Sequence, residues 1–331
     1  MRRRARTRRA AATTALLAAA LTASLAAGCT GADGPGDDGR GSPRESPRGS
    51  AHPPSPRQKR AAPPVLAVKL DNARGARPHT GLGAADVVYV EQVEGGMSRL
   101  MALYATRLPR AVGPVRSARE SDLELLRQFH RPVLAFSGAQ SKLLPVIDKA
   151  PLEARSPADA SGAYFRGTAR AAPHNLYLRP GRLMRSAPGE AALTTGFHDG
   201  PAPEGGTATA SRTVRYPAAR FTFTWSPARD RWLVAMDGSP ATADGRQLTA
   251  ATVVVQYVTI RASAYRDFRG SNSPYTETVG SGKATVLRDG RAHEVRWQRE
   301  HAEDGTTFTT GDGAPVHMAR GQVWILYVKA P

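Results

Sequence analysis

The sequence predicts an α+β (or α/β) protein: an N-terminal mixed-sheet domain with helices, followed by a smaller, mostly antiparallel β domain. Between residues 65 and 195, strand-like and helix-like apolar patterns alternate, which is typical of a sheet covered by helices. From residue 213 to 331 nearly all patterns are strand-like and are separated by turn signals. Residues 196–212 are rich in Gly, Pro, Thr and Ala, and we interpret them as the linker between the two domains.

Residues 1–28 have the layout of a bacterial lipoprotein signal peptide. Six arginines lie within the first nine residues, an uncharged Ala/Leu/Thr stretch follows, and small residues precede Cys29, which is the one cysteine of the chain. A plain secretory signal needs no cysteine after its cleavage site, so the pattern predicts cleavage before Cys29 and lipid attachment to its thiol. The alternative is an uncleaved membrane anchor, but a span needs about 20 strongly apolar residues. Either the general or the twin-arginine export route would fit.

Removal of the signal also removes its six arginines. The remaining 40 basic and 28 acidic residues give a net charge of about +12, instead of +18 for the whole chain. With no second cysteine there can be no intrachain disulfide. Residues 29–64 are rich in Gly, Pro, Ser and Arg and predict a disordered tether to the extracytoplasmic face of the cell membrane. This location, and the lack of a basic face interleaved with aromatic residues, argue against a nucleic-acid partner.

Four strands and two helices are predicted in order within the first domain. Enrichment in β-branched and aromatic residues predicts strands at 65–70, 86–90, 99–104 and 132–137. Helical spacing of apolar residues predicts a helix over 121–129, capped by Ser121. A shorter helix is expected over 139–149, kinked near Pro145.

The second domain is predicted as a series of hairpins. Its strand-like patterns lie at 221–225, 232–236, 252–260, 283–287, 293–298 and 322–328. The dipeptides Asp237-Gly238, Asp244-Gly245 and Asp289-Gly290 favour tight hairpin turns between strands. Such a series is typical of a small antiparallel β domain.

Polar side chains follow the first strand, at the start of a Gly/Pro-containing loop. Asp71 and Asn72 end the strand and Arg77 lies in the loop. Loops at strand ends often form the ligand crevice of α/β sheets. The spacing alone nevertheless favours a structural role, in which Asp71 and Asn72 close a turn through the local backbone. Asp71 is therefore a candidate catalytic residue and Arg77 a candidate ligand-binding residue.

Glu94 and Arg99 flank a pair of glycines that permits a tight bend. The two side chains could point together at a ligand, with Glu94 as a catalytic base and Arg99 binding an anion. They could equally form a surface ion pair, which would contribute little to stability.

Basic residues precede the first predicted helix. Arg116, Ser117 and Arg119 combine two guanidinium groups and a hydroxyl near a helix N-terminus, which suits a phosphate or carboxylate ligand. Alternatively, one arginine could pair with Glu94 or Asp86 as a structural support. Ser117 is disfavoured as a nucleophile because no Gly-x-Ser-x-Gly motif surrounds it.

His174 and Asn175 follow Pro173 in an arginine-rich loop. His174 could act as an acid or base, or both residues could contact a ligand. A hydrogen-bonded structural histidine is an equally good interpretation. No metal site is predicted, since the cysteine is expected to carry lipid and no paired histidine motif occurs. No phosphate-binding or dinucleotide loop occurs either, so no cofactor is expected.

Taken in order, these motifs resemble the YerB-like lipoprotein family, catalogued as domain of unknown function 3048. The resemblance rests on residues 68–72, 76–78, 81–82, 85–89, 93–99, 113–119, 172–177, 275–282, 289–290, 297 and 321–325. It implies an N-terminal domain and a smaller C-terminal domain, and no assigned reaction. Many relatives carry Glu where this chain has Val90, and here the acid is Glu91. Since successive strand residues face opposite sides, Glu91 inherits no role and Glu94 is the safer candidate.

The function favoured by the sequence is that of a lipid-anchored envelope lipoprotein that binds an anionic cell-wall or glycan ligand. Arg99, Arg116 and Arg119 would hold the anion, with His174 and Asn175 at the rim. One alternative is a hydrolase or transferase acting on envelope polymer, with Glu94 or Asp71 as base and His174 as acid.

A second alternative is a protein-interaction scaffold. It requires an exposed apolar patch that contains Trp297 or Trp324. The sequence identifies neither the ligand, nor a reaction, nor the oligomeric state.

Overall fold

The computed structural model describes residues 62–267 and 270–331, which belong to one compact unit. The expected signal peptide, Cys29 and nearly all of the expected tether lie outside the described residues. Within the described ranges, no helix combines the length and the apolar character needed to cross a membrane.

Strands dominate the described chain. In order they are β1 Leu66–Asp71, β2 Val87–Gln92, β3 Ser98–Tyr104, β4 Val133–Ala135, β5 Glu153–Arg155, β6 Tyr164–Arg166, β7 Leu176–Leu178, β8 Thr207–Ala208, β9 Ser211–Tyr216, β10 Ala219–Ser226, β11 Arg231–Met236, β12 Ser239–Pro240, β13 Thr242–Ala243, β14 Arg246–Gln247, β15 Thr249–Ala250, β16 Thr252–Val258, β17 Ile260–Arg266, β18 Asn272–Thr276, β19 Gly280–Arg288, β20 Arg291–Arg299, β21 Thr307–Thr309 and β22 Val323–Lys329. The α-helices are α1 Glu120–Leu126 and α2 Leu144–Lys149. Short 3₁₀ turns occur at Arg74–Ala76, Leu82–Ala84, Glu94–Gly96, Ser161–Ala163, Pro180–Arg182 and Glu190–Ala192.

One mixed sheet contains strands from both halves of the chain. Its order is β21-β20-β19-β16-β22-β2-β3-β1-β4-β5, and β8 also pairs with β20. The last strand, β22, lies between β16 and β2 and runs parallel to both. β3 is antiparallel to β2 and β1, whereas β4 continues from β1 in parallel. The two halves of the chain therefore share one hydrogen-bonded framework.

A second sheet covers one face of the main sheet. Its order is β12-β11-β10-β9, with β15 paired to β11. The predicted Asp-Gly turns are confirmed: Asp237 has a φ of 52°, Asp244 and Asp289 have a φ of 51°, and the glycine that follows each also has a positive φ. Two successive positive φ values match the twist of a hairpin, which explains why these dipeptides occur here.

The main sheet is buried on both faces. On β1, Leu66, Val68 and Leu70 pack in the core that contains Phe221 and Phe223 of the second sheet. Ala67 instead belongs to the core formed with α1. Because side chains alternate along a strand, Lys69 and Asp71 also lie on the α1 face. This alternation places charged residues at the α1 end of an otherwise apolar face.

The predicted mixed sheet and the antiparallel hairpins are confirmed, but the expected helical content was too high. The described chain is mostly β, and its two α-helices have seven and six residues. The helix predicted over 139–149 begins only at Leu144, and Pro145 lies in its first turn instead of at a kink. Proline is tolerated there because the first helical N–H groups have no acceptor within the helix.

The start of α1 also differs from the prediction. Ser121 is not the cap, since α1 begins at Glu120 and the carboxylate of Asp122 accepts a hydrogen bond from the backbone N–H of Arg119 at 2.7 Å. The hydroxyl of Ser121 instead donates to Glu91 at 3.2 Å. A buried carboxylate on the neighbouring strand is thus the partner that the local sequence did not reveal.

Candidate functional site

A row of charged residues crosses three neighbouring strands at the α1 end of the sheet. Asp71 on β1 lies opposite Arg99 on β3, and Arg99 lies opposite Glu91 on β2. Residues opposite each other in a sheet point to the same face. The loop before α1 adds Arg116, Ser117 and Arg119 to this row, and the 3₁₀ turn after β2 adds Glu94.

The carboxylate of Asp71 has three partners. Its Oδ2 lies 2.8 Å from Nδ1 of His174 and 3.3 Å from Nε of Arg116, and its Oδ1 accepts the N–H of Ala73 at 3.1 Å. Burial would raise the pKa of Asp71, but the hydrogen bonds from Ala73 and His174 and the charge of Arg116 outweigh it and keep the pKa below its usual value. The carboxylate is therefore ionised at neutral pH.

A neutral histidine supports the backbone of Asp71. Nε2 of His79 lies 2.8 Å from the carbonyl oxygen of Asp71, and the ring is buried. Burial lowers the pKa of His79 to about 4. The neutral ring thus donates its Nε2–H to the carbonyl and adds no positive charge to the site.

His174 presents its second ring nitrogen away from Asp71. Nδ1 contacts Asp71, whereas Nε2 has no hydrogen-bond partner among the described residues, and the side chain is 29% exposed. A Cβ at Gly75 would lie 3.3 Å from Cδ2 and 3.6 Å from Nε2 of this ring. Gly75 therefore packs closely against this ring, and a side chain at that position would crowd it.

Glu94 and Arg119 form a two-pronged ion pair. Nε and Nη2 of Arg119 lie 2.6 and 2.7 Å from the two carboxylate oxygens, and the hydroxyl of Ser273 also donates to Glu94. Burial would raise the pKa of Glu94, but Arg119 and Ser273 lower it to about 2. The structural alternative considered for this loop, an arginine paired with Glu94, is thus present at Arg119.

Arg99 is buried without an ion pair. It is 8% exposed, its Nη1 donates to the carbonyl of Ser117 at 2.8 Å, and no carboxylate of the described chain lies within 4 Å of it. Burial and the cations Arg119 and Arg116 lower its pKa to about 9, although Glu94 and Asp71 partly oppose this. Arg99 is still charged at neutral pH, and its charge is not neutralised by direct contact.

Arg116 is only partly engaged. Its Nε lies 3.3 Å from Asp71, but the contact lacks hydrogen-bond alignment and leaves this buried nitrogen unsatisfied. The two terminal nitrogens have no described partner, and the side chain is 28% exposed. The two terminal nitrogens of Arg116 are therefore available to bind an anion such as a carboxylate or a phosphate.

A cleft of about 180 Å³ opens beside Arg119, between the start of α1 and the β17–β18 hairpin; Arg99 and Arg116 do not line it. Ser117, Arg119, Gln140 and Ser273 are among its lining residues. The hydroxyl of Ser117 lies 3.5 Å from that of Ser137, and no base contacts it in the described chain.

Two residues proposed as ligand contacts are engaged elsewhere. Arg77 donates to Asn72 at 3.0 and 2.7 Å and to Asp237 at 2.8 Å, and so ties the β1 loop to the second sheet. Asn175 accepts from Arg166 at 2.7 Å and donates to the carbonyl of Gly167 at 3.2 Å, which closes the β6–β7 hairpin. The structure brings together the other candidates: Asp71, Glu94, Arg99, Arg116, Ser117, Arg119 and His174.

Sequence reasoning missed a buried charge cluster beneath the site. The ammonium of Lys69 contacts Glu91 at 3.1 Å and also Asp122, and all three side chains are at most 1% exposed. Burial raises the pKa of Glu91 to about 7; the charge of Lys69 opposes this, and that of Asp122 adds to it. The available signal was a lysine inside an apolar strand, at a position whose neighbours are all buried. In the described ranges, no group of three His, Cys, Asp or Glu side chains could hold a metal ion.

Family models match two regions of the chain. Residues 50–193 match the N-terminal domain and residues 212–325 the C-terminal domain of the protein of unknown function DUF3048. The chain belongs to the DUF3048 family. A curated relative, "Putative lipoprotein YerB" of Bacillus subtilis (strain 168), is 32% identical to this chain over 123 residues. That alignment spans 37% of this chain and 37% of the relative, so little more than a third of the relative is matched.

A crystal structure of the YerB protein from Bacillus subtilis is similar to this DUF3048 chain. The TM-score is 0.66 at 19% sequence identity, over 80% of this chain and 90% of that one. At this identity the likeness establishes the fold alone. Membership of the family and the lipoprotein relative agree with a lipoprotein of unknown biochemical activity.

Proposed function

We propose that this DUF3048 protein is a lipoprotein, anchored through lipid on Cys29 to the extracytoplasmic face of the cell membrane, and that it binds an anionic envelope ligand. The ligand carries a phosphate or carboxylate group, which Arg99 and Arg116 contact, with Arg119 and His174 beside them. Cys29→Ser should move the protein from the membrane fraction to the soluble fraction. Unchanged membrane association of this variant would contradict anchorage by lipid.

The observation that carries the binding proposal is the buried, unpaired charge of Arg99. A charged group removed from water is costly unless an opposite charge or hydrogen bonds compensate it. Arg99 has one described hydrogen bond and no carboxylate within 4 Å, and its two neighbouring cations are only partly opposed by Glu94 and Asp71. A bound anion would supply the missing compensation, and the free fork of Arg116 offers a second contact to it.

The scaffold alternative lacks its expected surface. Trp297 is 3% exposed and Trp324 is 0% exposed, so neither forms an apolar patch on the described chain. Their rings belong to the two cores. We therefore favour the anion site over a tryptophan-centred docking surface.

Equilibrium binding of inorganic phosphate and of acetate to the purified full chain in detergent tests the proposal. We expect saturable binding of at least one anion and a roughly ten- to hundredfold weaker affinity for Arg99→Gln, since a charge-assisted contact contributes about 1.5–3 kcal/mol. Arg229→Gln is the matched control, because Arg229 is an exposed arginine in the β10–β11 turn. Equal affinities of the Arg99→Gln protein and the control would contradict an anion site at Arg99.

A further inference from the structure

We propose that the bound anion is a phosphate ester and that His174, oriented by Asp71, hydrolyses it. This inference rests on the proposed anion site and adds a reaction to it. His174 would touch the attacking water through Nε2 and is the catalytic residue. Asp71 acts through His174 and is a positioning residue.

The first support is the geometry of the His174–Asp71 pair. A carboxylate hydrogen-bonded to Nδ1 fixes the orientation and the tautomer of an imidazole, and leaves Nε2 to accept a proton. Asp71 is itself held by the N–H of Ala73, and its carbonyl is held by His79. The carboxylate therefore has little freedom to turn away from the ring.

The second support is that His174 and Arg116 share Asp71 as a partner, while Nε2 of His174 and the terminal nitrogens of Arg116 are free. His174 and Arg116 contact the same oxygen of Asp71, at 2.8 and 3.3 Å. The two side chains are therefore neighbours at this carboxylate, and we place the ester between the terminal nitrogens of Arg116 and Nε2 of His174. Nε2 of His174 has no hydrogen-bond partner among the described residues, and the side chain is 29% exposed.

The charge of the site selects the class of ester. A carboxylic ester or an amide is neutral in its ground state and would leave Arg99 uncompensated. A phosphate ester carries negative charge on its non-bridging oxygens before and during displacement, and guanidinium groups stabilise this charge. Arg99 and Arg116 would thus serve both binding and reaction.

The reaction needs water as the second substrate. Nε2 of His174 accepts a proton as the water oxygen forms a bond to phosphorus. The bond between phosphorus and the alcohol oxygen breaks, and its electron pair stays on that oxygen. The leaving oxygen lies on the far side of phosphorus from the attacking water and takes a proton from solvent. The imidazolium releases its proton to solvent, so that the products are the alcohol and the phosphate, and His174 is neutral again.

Release of nitrophenolate from p-nitrophenyl phosphate and from bis(p-nitrophenyl) phosphate tests the inference, with the purified full chain in detergent. We expect turnover of at least one probe, and the preferred probe shows whether the natural ester is a monoester or a diester. His174→Asn should lower kcat at least roughly 100-fold, the usual size of a general acid–base contribution. Phosphate binding should persist in this variant, which shows that it is folded. His301→Asn, a change of an exposed histidine, should retain the wild-type rate.

The Asp71→Asn variant distinguishes a role of Asp71 in orienting His174 from a purely structural role. It should lower kcat more than it changes KM and should alter the pH dependence of kcat, because the imidazole loses its fixed tautomer. Saturable phosphate binding without turnover of either probe, or an undiminished rate in His174→Asn, would overturn the hydrolysis while the anion site stands. Absence of phosphate and acetate binding in the wild-type protein would overturn the anion site itself.

Discussion

Nη1 of Arg99 donates a hydrogen bond to the carbonyl oxygen of Ser117 at 2.8 Å. This contact joins the centre of the mixed sheet to the loop before α1, where Arg116 and Arg119 lie. The same carbonyl lies 3.4 Å from Nη1 of Arg119. Two guanidinium groups thus meet at one carbonyl oxygen, and only that of Arg119 has a carboxylate partner.

Arg99→Met should stabilise the protein while it weakens anion binding. The variant removes a buried cation that has no carboxylate within 4 Å, and the carbonyl of Ser117 keeps its contact with Arg119. We expect the free energy of unfolding in phosphate-free urea titrations to rise by about 1 kcal/mol. Arg229→Met, at an exposed position, should leave it unchanged. A clear loss of stability in Arg99→Met would indicate that the charge of Arg99 is already compensated within the protein.

Glu94→Gln should destabilise the protein at neutral pH by about 3 kcal/mol, because it leaves Arg119 buried and unpaired beside Arg99. The pKa of Glu94 is lowered from 4.5 to about 2, so its stabilising effect is complete above pH 4.5 and is lost as the pH falls towards 2. The difference in unfolding free energy between wild type and variant should therefore narrow from pH 5 to pH 3. Glu204→Gln, an exposed control, should show no such trend. A difference that stays constant over this range would contradict the ion pair.

Glu91→Gln should change the pH dependence of the unfolding free energy in the opposite direction to Glu94→Gln, and in a higher pH range. Burial raises the pKa of Glu91 from 4.5 to about 7, so the folded state binds the extra proton between these values. Wild-type stability should then fall as the pH rises from 4.5 to 7, with a slope of up to about 1.4 kcal/mol per pH unit from this group. Urea denaturation should show a flatter profile for Glu91→Gln, and a variant that is more stable than wild type at pH 8. An unchanged profile would mean that Glu91 is ionised throughout beside Lys69.

The two halves of the chain should not fold separately. β22 pairs with β2 over Val87–Val90 and with β16 over Thr252–Val258, in the middle of the main sheet. A fragment that ends at residue 195 lacks β22 and would expose both the edge of β2 and its apolar side chains. Circular dichroism and sedimentation of this fragment and of the remaining C-terminal fragment, alone and mixed, measure whether each of them folds. We expect aggregation or disorder alone and recovery of structure on mixing, whereas two soluble, cooperatively unfolding fragments would support independent domains.

The sequence located most strands and turns because those signals are local. Asp237-Gly238 and its two counterparts adopt the backbone angles that their residue types favour. The pairing of β22 with β2 depends instead on residues more than 200 positions apart, and no local pattern records it. The helix predicted over 139–149 ends where expected but begins five residues late, because apolar residues at helical spacing also occur in the turns that precede α2.

For the site, the sequence identified residue types but not their partners. The grouping of Arg116 and Arg119 before a helix was visible, and so was the possible pairing of one arginine with Glu94. The contact between Asp71 and His174, 103 positions apart, required the fold. The cluster of Lys69, Glu91 and Asp122 was missed because its one local sign, a lysine inside an apolar strand, does not identify partners that lie 22 and 53 positions away.

Side-chain NMR of arginine tests the anion site most directly. In a titration of inorganic phosphate into the full chain in detergent, the Nε–H signals of all arginines can be followed, and single substitutions assign those of Arg99, Arg116 and Arg229. An anion site at Arg99 predicts saturable shifts for Arg99 and Arg116 with one common dissociation constant, while exposed Arg229 shows only the weak, non-saturating response of a surface charge. An unmoved Arg99 signal, or one that responds no more than Arg229, would contradict the site.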